Sequence, residues 1–180
     1  MGGLYPWHNS SKNGRTGTWG DDVSTETVDD VATALWGSNW REPTLVDVLR
    51  LCNCLDELDE DGFSQKIEDE GNHYTVWTWC DGSTEQYISG CTLAGWKVSG
   101  KDDFAGNSIF LPATGYYNAE EIVNVTDREG NYWTSGYYTE DGSKYVHALE
   151  FCSYNPDDNT YGYETGYEPH NGLAVRPVHK

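Results

Sequence analysis

The sequence predicts a single α+β domain in which helices come first and short strands follow. Two amphipathic helical patterns lie in the first third of the chain, and apolar runs separated by Gly, Asn and Asp occupy most of the rest. A chain of 180 residues is long enough for one domain with its own hydrophobic core. Its eight Trp, thirteen Tyr and twenty Gly, against one Met, argue against a helical bundle.

The first helix is predicted over Val28 to Leu35. Four apolar residues follow the i, i+3, i+4, i+7 spacing of one helical face: Val28, Val31, Ala32 and Leu35. Acidic residues near its start suit the positive end of the helix dipole. The segment before it, up to about Asp22, is rich in Gly, Asn, Ser and Thr, so we expect an irregular loop held by Trp7 and Trp19.

The second helix is predicted to begin at Thr44. Asp47, three positions later, completes an arrangement like a capping box, and Pro43 disfavours helix in the residue before it. Its apolar stripe consists of Leu45, Val48, Leu49, Cys52 and Leu55. The acidic run Asp56 to Asp61 is expected to be a solvated helix end and loop, because a calcium loop needs regularly alternating oxygen ligands.

The strands are predicted from short apolar or aromatic runs. These cover Tyr74 to Cys80, Gly95 to Ser99, Ser108 to Leu111 and Tyr145 to Phe151. Turn-forming residues are expected to separate strands at Asp81-Gly82, Glu129-Gly130-Asn131 and Asp141-Gly142. Because period-2 alternation places Leu149 and Phe151 on one face, Glu150 is expected on the other.

The charge of the chain limits its partners. Thirty acidic residues against eleven basic ones give a net charge of −19, which repels phosphate backbones and anionic membrane surfaces. We therefore expect no nucleic-acid partner. No apolar stretch approaches the roughly 20 residues that a membrane span needs, so we expect no membrane insertion, and no signal-peptide pattern begins the chain.

The five cysteines are expected to be mostly reduced and buried. An odd number leaves at least one thiol unpaired within the chain. Cys52 and Cys54 are two positions apart on a predicted helix and point in different directions, so they cannot easily form a disulfide. Cys80 with Cys91 is the pairing to test; Cys152 is the fifth cysteine.

Tyrosine is concentrated near the C-terminal end of the chain. Eight of the thirteen tyrosines fall between Asn131 and Val178, among Ser, Asn, Asp and Gly. This mixture is typical of binding surfaces such as antibody loops, where rigid Tyr supplies contact area and short polar residues supply hydrogen bonds. The composition therefore indicates a ligand-binding surface rather than a catalytic site.

Four segments carry a resemblance to a known family. They are Trp36-Gly37-Ser38-Asn39-Trp40-Arg41-Glu42-Pro43-Thr44, Asn107-Ser108-Ile109-Phe110-Leu111-Pro112-Ala113-Thr114-Gly115-Tyr116, Tyr132-Trp133-Thr134-Ser135 and Gly172-Leu173-Ala174-Val175-Arg176-Pro177-Val178. In order and spacing they resemble the Fibrobacter-type major paralogous domain, a family of gut bacterial proteins, over most of the chain. The resemblance implies a C-type-lectin-like fold over residues 1–180, with two helices near the N-terminus and a twisted antiparallel sheet with long loops.

Domains of this kind include the variable proteins of diversity-generating retroelements, in which adenine-directed mutagenesis rewrites codons near the C-terminus. The resemblance implies such a variable region at residues 133–176. The fixed positions are then Trp133, Ser135, Leu149, Phe151, Gly172, Val175 and Arg176. The displayed, ligand-binding positions are Tyr137, Tyr138, Glu140, Lys144, Tyr145, His147, Glu150, Tyr154, Asn155, Asp158, Asn159, Tyr161, Tyr163, Tyr167, His170 and Asn171. Val175 and Val178 are expected in a final strand, with Arg176 bound to a carboxylate.

The function that follows is a non-enzymatic receptor or adhesin module for a protein or glycan on another cell. We expect it outside the cell, on a cell surface or a phage tail. Replacing Tyr161, Tyr163 and Tyr167 with Ala is expected to abolish ligand capture and to leave thermal stability nearly unchanged. A self-assembling pilus or surface-layer subunit is one alternative, and size-exclusion chromatography across concentrations distinguishes it.

Enzymatic and metal chemistry have weaker support in the sequence. Formylglycine-generating oxidases of the same fold family use a cysteine pair near the chain end, where this chain has Cys152 alone. The five histidines lack His-x-x-x-His spacing, and no Gly-x-Ser-x-Gly elbow is present. No cofactor is expected; the alternative is a calcium-dependent lectin, with Asp157, Asp158 and Glu168 as oxygen ligands.

Overall fold

The protein is mostly β, so the prediction of an α+β class is wrong. A computed structural model describes residues 4–9, 30–52, 75–82, 93–118, 120–123, 129–152 and 163–180. Strands make up 52% of these residues and helices 15%. The helices are short and the strands form several sheets, because much of the Tyr-rich C-terminal part also pairs as strands.

The strands form four sheets in the described residues. The largest has the order β1-β11-β8-β9-β10, with β1 Leu4–Tyr5, β8 Glu129–Glu140, β9 Ser143–Cys152, β10 Tyr163–Tyr167 and β11 Leu173–Ala174. A three-stranded sheet contains β3 Thr75–Cys80, β4 Gly95–Gly100 and β5 Ser108–Pro112. Two short pairs join β2 Trp40–Arg41 to β12 Val178–His179 and β6 Tyr116–Tyr117 to β7 Ile122–Val123.

Both α-helices begin at side-chain caps. Helix α1 spans Val31–Trp36, and its N-cap Asp30 accepts a hydrogen bond from the Thr33 N–H. Helix α2 spans Leu45–Leu51, and the Thr44–Asp47 capping box predicted from the sequence is confirmed. A 3-10 turn, Asp102–Phe104, follows β4.

The helix α1 differs in detail from its prediction. Its first turn carries no acidic residue, because the helix begins after Asp30, which serves as the cap. Gly37, at φ 94°, ends the helix in a conformation that favours glycine. Val28 lies outside the described residues, and Leu35 is exposed rather than buried.

The long hairpin β8–β9 was only partly predicted. Asp141 and Gly142 connect its strands with φ angles of 48° and 80°, which confirms the predicted turn and suits a type I′ connection. The turn predicted at Glu129-Gly130-Asn131 is wrong, since these residues begin β8 and pair with β9. Gly130 is needed there for another reason: a Cβ at this position would collide with the ring of Phe151.

The five-stranded sheet is buried on both faces near its centre. On one face, Tyr132, Leu149 and Phe151 pack in a core with α2 and the three-stranded sheet. On the other face, Trp133, Val146 and Ala148 pack with Trp7 and Leu173. Burial of both faces explains why β8 lacks a simple alternation of polar and apolar residues.

The residues expected to be fixed divide by burial. Trp133, Leu149, Phe151 and Gly172 are buried, and Ser135 and Val175 are half-buried. Arg176 is exposed and pairs with no described carboxylate, so the expected ion pair is not found. Val178 is in β12, whereas Val175 lies between β11 and β12.

Two of the five cysteines can be placed. Cys52 and Cys80 are buried, as expected. Cys54 and Cys91, and with them the pairing of Cys80 with Cys91, lie outside the described residues, as does the side chain of Cys152. In the part of the chain that the structure describes, no helix has the length and apolar character needed to cross a membrane.

Candidate ligand-binding site

The outer part of the β8–β9 hairpin brings together several of the predicted binding residues. Tyr138 pairs with Tyr145, and Tyr137 pairs with Val146. Since directly opposed residues point to the same face, the predicted single surface divides into two groups of side chains on opposite faces. We call these the Trp7 cluster (Trp7, His8, Tyr137 and Lys144) and the Tyr138 cluster (Tyr138, Tyr145 and His147).

A bulge between Trp133 and Tyr137 sets the position of the hairpin's outer part. The Thr134 hydroxyl donates to the His147 carbonyl at 2.7 Å, and the Thr134 carbonyl accepts from the Trp7 indole N–H at 3.0 Å. The Ser135 N–H donates to the Pro43 carbonyl at 2.9 Å. These hydrogen bonds satisfy polar groups of the bulge that do not pair within the strand ladder. They also join the hairpin to the segments that contain Trp7 and Pro43.

In the Trp7 cluster, the exposed Tyr137 contacts both Trp7 and Lys144. Tyr137 is 53% exposed, and its ring meets the Trp7 ring edge-on at 5.6 Å between centroids. The Lys144 ammonium lies 4.6 Å from the Tyr137 centroid and 5.4 Å from that of Trp7. These are cation–π distances, so the Lys144 ammonium contacts two aromatic rings, of which Tyr137 is exposed and Trp7 is buried.

His8 connects this cluster to a buried carboxyl group. Its ring stacks on Trp7 at 3.9 Å, and its Nε2 atom lies 3.4 Å from Glu42 Oε2. Glu42 is fully buried, and its Oε1 accepts from the Val31 N–H at 3.2 Å. Burial raises the pKa of Glu42 despite the opposing effect of the nearby His8 ring. His8 has a φ of 53°, in the left-handed region that non-glycine residues seldom adopt.

The Tyr138 cluster lies on the opposite face. The Tyr138 and Tyr145 rings stack at 5.6 Å between centroids, and Tyr138 lies 5.0 Å from the His147 ring. All three side chains are half-buried. The Tyr138 hydroxyl occupies the space above Gly166 of β10, where any Cβ would collide with it. Glycine at this position therefore leaves room for the end of the Tyr138 side chain.

Tyr167 is not displayed as the sequence suggested. Its hydroxyl lies 2.7 Å from Asn131 Oδ1 and 2.8 Å from Glu150 Oε2, and its ring approaches Tyr116 and Trp133. Burial and the Glu150 carboxylate raise the pKa of Tyr167 far above its ordinary value. Strand alternation turns this ring toward the Trp133 core, so replacing Tyr167 with Ala should reduce stability, contrary to our expectation from the sequence.

The remaining predicted positions are only partly described. Glu140 is exposed near the hairpin tip, Glu150 contacts Tyr167, and His170 lies 3.5 Å from Glu168. Asn171 is half-buried, beside the bridge that Gly172 forms with Tyr117. Outside the described residues lie Tyr154, Asn155, Asp158, Asn159, Tyr161 and the side chain of Tyr163.

Sequence reasoning did not assign Trp7 and His8 to the site. Trp7 was identified as an aromatic anchor, but nothing local to it indicates that its partners are Tyr137 and Lys144. That contact depends on β1 pairing with β11, which places the start of the described chain beside the final strands.

A metal site finds no support among the residues with described positions. No group of three or more His, Cys, Asp or Glu side chains in those ranges could hold an ion. Of the calcium ligands considered from the sequence, Asp157 and Asp158 lie outside the described ranges, and the Glu168 side chain is 54% exposed.

Comparisons of this chain with protein-family models, curated proteins and solved structures found no match.

Proposed function

We propose that this protein is a non-enzymatic ligand-binding module that captures a protein or glycan through the outer part of the β8–β9 hairpin. The observation that carries the proposal is that Tyr137 is 53% exposed and yet contacts both Trp7 and Lys144. An aromatic side chain that is already ordered loses little entropy when a partner covers it.

The surroundings of Tyr137 support the same function. The hairpin residues Trp133, Val146 and Ala148 are buried and pack together. The stacked rings of Tyr138 and Tyr145 form a second aromatic surface. Tyrosine rings supply contact area and hydrogen bonds together, and this combination is common in binding surfaces. We propose that capture uses these contacts without making or breaking a covalent bond.

The test compares ligand capture by the natural protein and by a triple variant. Labelled protein is applied to a glycan array and to intact bacterial cells, first as the natural chain and then with Tyr137, Tyr138 and Tyr145 replaced by Ala. We expect the triple variant to lose capture by more than about tenfold, since aromatic anchors dominate interface energetics. Retention of full capture by a folded triple variant would sink the proposal.

Trp36→Ala provides the matched control. Trp36 is 47% exposed at the end of α1 and belongs to neither cluster, so its loss removes exposed aromatic surface elsewhere. Capture by this variant should equal that of the natural protein. A loss as large as that of the triple variant would instead indicate nonspecific aromatic adhesion.

A further inference from the structure

A cavity of about 760 Å³ opens between the C-terminal end of α2 and the three-stranded sheet. Its walls include the apolar side chains of Leu51, Val98, Phe104 and Ile109, and Arg50 lies among its lining residues. Small-molecule sites have volumes of roughly 300 to 1,000 Å³ and combine apolar walls with a few polar groups. We propose that this cavity binds an amphipathic carboxylate, with its alkyl chain on the walls and its carboxylate at Arg50.

Backbone hydrogen bonds and a close approach to Gly100 position Phe104 in the cavity wall. After Gly100 the 3-10 turn folds back, with the Phe104 N–H donating to the Lys101 carbonyl at 2.8 Å and the Gly100 N–H donating to the Asn107 carbonyl at 2.9 Å. A Cβ at Gly100 would collide with Phe104. The Phe104 side chain stays 53% exposed, so an alkyl chain in the cavity would remove apolar surface from water.

One polar group beside the cavity, the Leu51 carbonyl, is already hydrogen-bonded. The Leu51 carbonyl accepts from the Thr75 hydroxyl at 2.7 Å and from the Trp77 indole N–H at 3.1 Å. Both lone pairs of that oxygen are thereby used. A ligand's apolar end therefore meets no unsatisfied acceptor there, and its polar end is better placed at the α2 side chains.

The charge balance among the lining residues favours an anion. Asp47 also lines the cavity, but its Oδ2 accepts from Arg41 Nη1 at 2.6 Å and from the Thr44 N–H and hydroxyl, each at 2.8 Å. The Arg41 charge therefore balances that of Asp47. Arg50 is exposed in the last turn of α2 and pairs with no acidic residue in the described ranges, so one positive charge remains available.

The guanidinium of Arg50 favours an anionic head group over an uncharged or cationic one. A planar guanidinium binds a carboxylate through two parallel hydrogen bonds and offers no acceptor to an ammonium group. In a chain of net charge −19, long-range electrostatics do not attract anions, so local contacts must supply the selectivity. The Asp102 and Asp103 carboxylates are exposed on the 3-10 turn and are not among the lining residues.

The experiment uses decanoate as the probe, with decanol and decyltrimethylammonium as uncharged and cationic counterparts. Isothermal titration calorimetry on the full chain should show saturable decanoate binding at one site. Decanol and decyltrimethylammonium should bind at least about tenfold more weakly, because a charge-assisted bidentate contact is worth about that factor.

Two variants and one control locate the site. Arg50→Gln should weaken decanoate binding about tenfold and leave decanol binding unchanged. Ile109→Trp, which fills the cavity from its wall, should weaken all binding. Arg176→Gln removes an exposed arginine outside the cavity and should change the binding of neither decanoate nor decanol. The absence of saturable decanoate binding would overturn the proposal, as would equal binding of the three probes or an Arg50→Gln variant that binds decanoate normally.

Discussion

The Lys144 ammonium lies 4.6 Å from the centre of the Tyr137 ring. Tyr137 is the most exposed residue of the Trp7 cluster. This contact joins a cationic and an aromatic side chain at the surface of an acidic protein. Its strength can be measured apart from any ligand, since it forms within the chain.

A double-mutant cycle with Lys144→Gln and Tyr137→Leu should give a coupling energy of about 0.5 kcal/mol in the free energy of unfolding. Urea denaturation of the four proteins measures it. In a control cycle, Lys101→Gln should combine additively with Tyr137→Leu, because Lys101 follows β4 in the other sheet. A coupling near zero in the first cycle would show that the Lys144 contact does not order the ring.

Glu42→Gln should stabilise the protein at neutral pH. Burial raises the pKa of Glu42 above its ordinary value of 4.5, so the fold favours the protonated form. That stabilisation is fully present below pH 4.5 and is lost as the pH rises through the raised pKa. Glutamine keeps an oxygen for the Val31 N–H without a buried charge, and should add on the order of 1 kcal/mol at pH 7.

The measurement for Glu42 is the free energy of unfolding from pH 4 to pH 8. The difference between Glu42→Gln and the natural protein should grow as the pH rises. Asp47→Asn is the contrasting variant, because Asp47 accepts from Arg41 and its loss should destabilise the protein at pH 7. A constant difference across the pH range would mean that Glu42 titrates alike in the folded and unfolded chains.

Tyr167 should make the fold sensitive to alkali. The pKa of Tyr167 is raised by burial and by Glu150, so its contribution is fully present below pH 10 and is lost as the pH rises above that value. Tyr167→Phe should cost about 1 kcal/mol at pH 7, because it loses the hydrogen bond that the hydroxyl donates. Its free energy of unfolding should fall less between pH 10 and 12 than that of the natural protein. Denaturant titrations at each pH test this, and parallel stability curves would contradict it.

Glu150→Gln should stabilise the same interior network. The Tyr167 hydroxyl has one hydrogen, yet it lies within 2.8 Å of two acceptor oxygens, Asn131 Oδ1 and Glu150 Oε2. A glutamine amide would donate to the hydroxyl oxygen while the hydroxyl donates to Asn131, adding about 1 kcal/mol to the free energy of unfolding. In the Tyr167→Phe background this gain should disappear; an equal gain in both backgrounds would exclude the explanation.

Structural features that depend on neighbouring residues could be predicted from the sequence, whereas contacts between distant residues could not. The Thr44–Asp47 cap and the Asp141-Gly142 turn depend on neighbours within three residues, and both were predicted correctly. Strands β3, β4 and β5 were also located, with ends differing by one residue, because their apolar and aromatic runs are compact.

Strand β8 was missed for a physical reason. Gly130 resembles a turn residue in sequence, but in the fold it makes room for the Phe151 ring. Burial on both faces also removes the alternation that identifies a strand, and this loss of signal led to the wrong fold class. The Tyr-rich composition predicted a surface without indicating that Tyr167 turns inward or that Trp7 joins Tyr137.

The pairing of Leu4 with Ala174, and of Ala174 with Tyr132, has a consequence for biosynthesis. Strand β1 cannot pair in the sheet until β11 has left the ribosome, so the whole segment between Leu4 and Leu173 is synthesised before this pairing can form. Such distant closure slows folding and leaves aromatic surface uncovered meanwhile. A nascent chain stalled before Leu173 should therefore be a preferred client of chaperones.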